Sequence, residues 1–272
     1  MNSSSNLIFQ LAAAWDVFFT RRLPGFLYGS KEEIDTIDGK PAKALMLLPL
    51  VGGITGFFLA LPIWIVGLFG RPVAAAILGG IIIPLIAEIL TNGRDGKALT
   101  LFLEARRKGK TVDEALTPTK TTKTGDIAGA TPGFLLKFSL YLLRMLMFGI
   151  LAYFNAPFWY IVVFTCSFFM RAELSSLNEP GGFGKGTFLP FPYETRKVHI
   201  YLALVICCLA GLIREIPFTL IGFGIAALLT WLAKGVCLEA ISGINKFAIR
   251  VFAYGLEIAM LFLGVLFYAK SM

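Results

Sequence analysis

The chain has 272 residues, 57% of them hydrophobic and 15% charged, with a mean hydropathy of +0.75 and a formal net charge of +8. An apolar share that high excludes a soluble globular domain and a disordered polyelectrolyte alike. The positive balance needs no nucleic-acid partner, because basic loops lying on anionic lipid account for it.

In chain order, the polar start Asn2-Ser-Ser-Ser5 lacks the basic flank and small-residue cleavage site of a removed signal, so none is expected. Residues 7–20 carry Trp15, Phe18 and Phe19 and read as an N-terminal interfacial helix or a short extra insertion. A helix needs ~20 apolar residues to cross the hydrocarbon core. Stretches 45–69, 73–91, 198–213, 216–233 and 248–269 are the clearest candidates. The block 133–170 is long enough for two crossings with a turn near Asn155-Ala156-Pro157. The fold class expected is therefore all-α: a polytopic membrane helical bundle of about seven transmembrane helices, forming one domain over residues 1–272. Unbroken apolar runs exclude the alternating pattern of a membrane barrel.

Twenty of the 25 Lys and Arg fall before the first span, in the connections 92–132, 171–197 and 234–247, or just after the last of these. The alternate gaps hold only Arg71, Arg214 and Lys270, while Lys137 and Arg144 fall inside the third span. The positive-inside rule then makes the N-terminus and those three loops cytoplasmic. Cys166, Cys207, Cys208 and Cys237 show no metal-ligand spacing and read as buried free thiols.

Charge near hydrocarbon is costly and asks for a reason. At helical spacing Glu88, Thr91, Asn92 and Asp95 share one face leaving the membrane. Such a stripe suits a metal ion or a headgroup; a helix end turning polar, with Asp95 capping the next segment, has the same spacing. In the loop 92–132, Thr111–Leu116 reads as a short amphipathic helix ended by Pro118. Lys120 and Lys123 then flank Gly125-Asp126 and Gly129, a setting suited to anionic phosphate and equally to a solvated connector. Gly181–Thr187, which includes Lys185, is not a P-loop, because Gly186 interrupts the required run and no strand precedes it. Arg171 ends an apolar span as either a snorkelling anchor or a phosphate clamp. Gly235, Glu239 and Gly243 share a helical stripe that would let a helix or ligand approach the carboxylate, ahead of Asn245-Lys246; Gly52 and Gly56 read as packing positions. His199, the single histidine, cannot form a zinc cluster and reads as an interfacial structural residue.

Taken together, these segments resemble the adenosylcobinamide-GDP ribazoletransferase (cobalamin-5'-phosphate synthase) family. Its opening Thr-Arg-Leu-Pro is similar to Thr20-Arg21-Arg22-Leu23-Pro24, and its Phe-Pro-Leu-Val-Gly to Leu48-Pro49-Leu50-Val51-Gly52. The end of its Gly-Gly-Leu-His-Leu-Asp-Gly-Leu-Ala-Asp signature is similar to Asp95-Gly96-Lys97-Ala98-Leu99. Asp126-Ile127-Ala128-Gly129, Arg171 with Pro180 and Phe183-Gly184, and Gly235–Gly243 come next in the family's order. The chain departs from the pattern in three places: Leu99 stands at the second aspartate, the signature histidine is missing, and Glu239 replaces the late aspartate.

The resemblance implies a membrane enzyme of the bacterial or archaeal cytoplasmic (inner) membrane, working on its cytoplasmic side. It would join adenosylcobinamide-GDP to α-ribazole, or its 5'-phosphate, and release GMP. It further implies Mg2+, held by Asp95 with Glu88, Asp126 and Glu239, and catalytic roles for Asp95, Asp126, Arg171 and Glu239. Lys123, Lys185 and Asn245 are the expected substrate-binding groups, and Glu104 is a second acid able to compensate for Leu99. The alternatives are a relative that has lost its chemistry and, with less support, a transporter, whose carboxylates belong near the bilayer midplane.

Overall fold

The computed structural model describes residues 10–12, 14, 15, 19, 45–116, 131–175, 196–213, 216–240 and 246–269. Beyond residue 45 the helices are α1 (Leu48–Leu68), α2 (Pro72–Thr91), α3 (Arg94–Arg107), α4 (Val112–Leu116) and α5 (Thr131–Tyr153). They continue as α6 (Trp159–Ser175), α7 (Arg196–Leu212), α8 (Ile216–Ala240) and α9 (Lys246–Ala269). Among the described residues there is no strand, and the protein is an all-α polytopic membrane bundle.

Among the described residues, five helical segments are long and apolar enough to cross a membrane: Leu48–Leu68, Pro72–Thr91, Leu135–Tyr153, Ile216–Cys237 and Phe247–Ala269. Helices α6 and α7 are shorter at 17 residues each, and α6 is buried along its whole length. At 1.5 Å per residue such a helix still extends about 25 Å, close to the hydrocarbon thickness. The bundle wears its apolar side chains outward: Phe58, Ile77, Leu146, Leu209, Trp231 and Phe262 are all exposed. In water that surface would aggregate; in lipid it is the solvated face.

The turn expected near Asn155 is present. Helix α5 ends at Tyr153, and Asn155 adopts the left-handed conformation with φ 53° before α6 begins. Asparagine tolerates that region because its side chain hydrogen-bonds locally.

Helix α6 is the axis of the bundle, packed against α1, α7, α8 and α9, while α2 and α5 form a second layer. Glycines set the distances. A Cβ on Gly52 would lie 2.5 Å from the Phe164 carbonyl oxygen, and one on Gly56 would lie 2.6 Å from the Ile161 Cα. Those contacts are backbone on backbone, so α1 and α6 meet only because both positions lack side chains, as expected for Gly52 and Gly56. The Trp159 indole fills space that glycines leave on α8 and α9, lying against Gly222 and Gly264, and donates from Nε1 to the Met260 carbonyl at 2.8 Å.

The amino-terminal segment packs on this bundle. Ala12, Ala14 and Phe19 are buried, and the Phe19 ring lies 5.3 Å from that of Phe168 on α6. It is therefore held by protein contacts as well as by the lipid interface expected for residues 7–20.

Candidate functional site: a buried ionic core at one end of the bundle

The ends of α2, α6 and α8 and the beginnings of α3, α5, α7 and α9 share one end of the bundle, and the buried charges collect toward it. The local reason begins at Asn92-Gly93. Both residues are left-handed, with φ 53° and 63°, and the Gly93 N–H donates to the Glu88 carbonyl at 2.9 Å. An Asn-Gly pair at a helix C-terminus takes this conformation at little cost. The polar stripe from Glu88 to Asp95 therefore does not run along one helix. It breaks at Asn92, and α3 starts afresh with Asp95 in its first turn. The reversal turns Asp95 inward, where it is 3% exposed.

Asp95 receives two arginines from distant helices. Arg171 Nη2 on α6 donates to Oδ2 at 2.6 Å, and Arg250 Nη1 on α9 donates to Oδ1 at 3.1 Å. Arg171 is not a snorkelling anchor, being 2% exposed with its guanidinium 4.9 Å from the Phe168 ring. Buried pairs of this kind are held by hydrogen bonding and charge together, since either partner alone would be strongly destabilising.

A second cluster lies deeper. Arg144 Nε on α5 donates to Glu257 Oε1 on α9 at 2.8 Å, with Nη2 reaching the same oxygen, and its Nη1 lies 3.4 Å from Glu88 Oε1. The rings of Tyr254 and Phe148 flank the cation at 5.1 and 5.7 Å. Arg144 stands close to the middle of the span Leu135–Tyr153, and Glu257 near the middle of Phe247–Ala269. A third cluster, one face away, joins Glu173 on α6 to both His199 Nε2 and Lys234 Nζ. His199 is thus a fully buried partner of a carboxylate.

Between the first two clusters is a small cavity of about 10 Å³, whose polar lining is Thr55, Thr91, Asp95, Arg144, Arg171, Tyr254 and Glu257. A space that size admits about one water molecule. Leu99 follows Asp95 by one turn and is buried in the apolar core. Glu104, further along α3, is also buried.

Two of the expected site residues, Asp95 and Arg171, are thus brought into direct contact. Glu88 joins the neighbouring cluster. Asp126, Lys123, Lys185 and Asn245 lie outside the described residues; Glu239 is within α8, but its side chain is outside them. Gly235, expected to make room beside Glu239, has nothing within 4 Å of an added Cβ among the described residues. Of the four expected magnesium ligands the described residues place Asp95 and Glu88, and both are engaged by arginine. Both oxygens of Asp95 accept from guanidinium groups, Glu88 and Glu257 face Arg144, and no set of three potential ligands occurs among the described residues. A hard divalent ion needs open carboxylate oxygens, whereas Asp95, Glu88 and Glu257 are turned to arginines.

Arg144, Glu257, Arg250, Tyr254, Glu173 and Lys234 are members of these clusters that the sequence motifs do not single out. A signal for some of them exists in the sequence: Arg250, Tyr254 and Glu257 recur at helical spacing within an otherwise apolar span, and Arg144 sits well inside another. No protein-family model, curated protein or solved structure matches the chain.

Proposed function

We propose that this protein is a membrane transferase of the kind its sequence resembles, joining adenosylcobinamide-GDP to α-ribazole or its 5'-phosphate at the charged end of the bundle. In this reading that end faces the cytoplasm of a bacterial or archaeal cell across its inner membrane. The reaction forms a bond from a ribazole hydroxyl oxygen to the phosphorus attached to cobinamide. It breaks the bond from that phosphorus to the GMP oxygen, and GMP leaves.

The observation that supports the reading is the contact between Asp95 and Arg171. The resemblance marks both, they stand 76 residues apart, and their side chains meet at 2.6 Å. Displacement at a diphosphate needs cationic groups fixed in place before the reaction, so that developing negative charge is met without reorganisation. Arg171 and Arg250 would supply that charge. Asp95 would act by positioning them, taking one donor from each. No step is routed through magnesium, for which the described residues offer no ligand set.

A second reading, a relative without catalytic activity, is favoured by Leu99: an apolar, buried side chain stands where the signature places an acid. The two readings separate in one assay. Membranes containing the protein are incubated with adenosylcobinamide-GDP and α-ribazole, with magnesium and with a chelator in parallel. Cobalamin that forms with the wild-type chain and is lost in Asp95→Asn and Arg171→Lys supports the transferase. No product under conditions where an authentic ribazoletransferase is active supports the non-catalytic relative.

A further inference from the structure

Lys137 forms no ion pair with the ionic core, although it lies two residues inside the apolar span Leu135–Tyr153. It is exposed, and no carboxylate among the described residues lies within salt-bridge distance of it. A snorkelling lysine on a convex helix face would need no further account. Lys137 instead lines a groove of about 370 Å³ between α2, α3, α5 and α9, together with Glu88, Thr100, Tyr141 and Tyr254. Glu88 has 19% of its side chain exposed. One groove therefore presents an ammonium, a carboxylate, a threonine and two tyrosines, at the height where the apolar spans end.

Directly below the groove, along the same pair of helices, runs an apolar furrow of about 770 Å³ lined by Ile77, Gly80, Ile81, Leu142, Met145 and Gly149 among others. On α2 the positions Ile77, Ile81 and Leu85 are exposed in successive turns leading up to Glu88; on α5 Phe138, Leu142 and Leu146 do the same leading down from Lys137. The furrow is floored by a close crossing: a Cβ on Gly80 would lie 2.9 Å from the Met145 carbonyl, and one on Gly149 would lie 3.1 Å from that of Ala76. From Glu88 to Ile77 is about 16 Å along the helix at 1.5 Å per residue, half of a ~30 Å hydrocarbon core.

We propose that the α2–α5 seam is a specific site for one phospholipid bearing both a phosphate and a primary amine, with the phosphate on Lys137, the amine on Glu88 and an acyl chain in the furrow. Charge complementarity selects the occupant. A purely anionic headgroup would set its negative charge beside Glu88, and a quaternary amine has no N–H to donate to that carboxylate. The proposal is independent of the transferase reading, since it uses no substrate of that reaction.

The test uses the full-length protein, delipidated in detergent and examined by native mass spectrometry with phosphatidylethanolamine, phosphatidylglycerol or phosphatidylcholine at equal concentration. The expected result is one retained phosphatidylethanolamine per chain, held about tenfold more tightly than either other lipid, the size of one charge-assisted contact. Glu88→Gln, which removes the charge that selects the amine, should abolish that preference, while Lys137→Ala, at an exposed position, should weaken retention of all three lipids through the phosphate they share. Ile81→Trp, which fills the furrow without touching the headgroup groove, should reduce retention of all three lipids. Equal retention of the three by the wild type, a preference undiminished in Glu88→Gln, or retention unchanged in Lys137→Ala would overturn the site.

Discussion

Removing Glu257 exposes how much the deep cluster contributes. Arg144 and Glu257 side chains are 3% and 4% exposed, and the guanidinium places both Nε and Nη2 on one glutamate oxygen. In Glu257→Ala the ionic partner left to Arg144 among the described residues is Glu88, at 3.4 Å and 19% exposed. Breaking a buried pair from one side costs about 3–5 kcal/mol, because a charge remains without its counter-ion, whereas an exposed pair is worth about 0–1 kcal/mol. The residual Glu88 contact places Glu257→Ala near the lower end, at about 3 kcal/mol. Replacing both partners by apolar groups of similar size removes the orphaned charge, so Glu257→Leu with Arg144→Met should lie well above either single variant in stability. The assay is reversible unfolding in mixed micelles by titration with sodium dodecyl sulfate, followed by far-ultraviolet circular dichroism. A Glu257→Ala variant within about 0.5 kcal/mol of wild type, the scale of an ordinary surface change, would refute the reasoning. So would a double variant losing the full sum of the two single losses.

The helix contacts and the charge pattern set further expected outcomes. Gly56→Leu should destabilise by more than the usual ~1–3 kcal/mol of overpacking, because its Cβ meets the backbone of Ile161 at 2.6 Å, while Gly235→Ala should be neutral or stabilising in the same unfolding assay. Arg107→Cys, at the charged end, and Arg71→Cys, between α1 and α2, should react with a membrane-impermeant maleimide from opposite sides of sealed vesicles. Labelling of both from one side would contradict the antiparallel path. Labelling of Arg107→Cys only from the outside of intact cells would contradict the cytoplasmic assignment.

The spans were legible because burial in lipid writes itself directly into composition: seven apolar stretches correspond to α1, α2 and α5–α9, and Asn155-Ala156-Pro157 marks the break between α5 and α6. The close approach at Gly52 and Gly56 was legible for a related reason, since small residues at a turn's spacing have few other uses in a span. Partners across helices were not. Arg250 reads as a loop charge beside 234–247, yet it points inward from the first turns of α9, and only the packing of α9 on α3 reveals that its counter-ion is Asp95. Periodicity also carried Asn92 along a helix that it in fact ends, because the left-handed pair Asn92-Gly93 is a local backbone choice that a face count ignores. His199 illustrates the same limit: its position beside Lys197 suggests a boundary, but Glu173 draws it into the bundle.

GMP release by the purified protein bears most directly on the proposal that the arginines around Asp95 serve phosphoryl transfer. The protein in lipid vesicles is given adenosylcobinamide-GDP with and without α-ribazole, and free GMP is counted per chain. The account predicts repeated turnover only when both substrates are present, with turnover lost in Asp95→Asn although that variant keeps its helical spectrum. Vesicles of folded wild-type protein that release no more GMP than empty vesicles, or an Asp95→Asn variant that releases it at the wild-type rate, would contradict it.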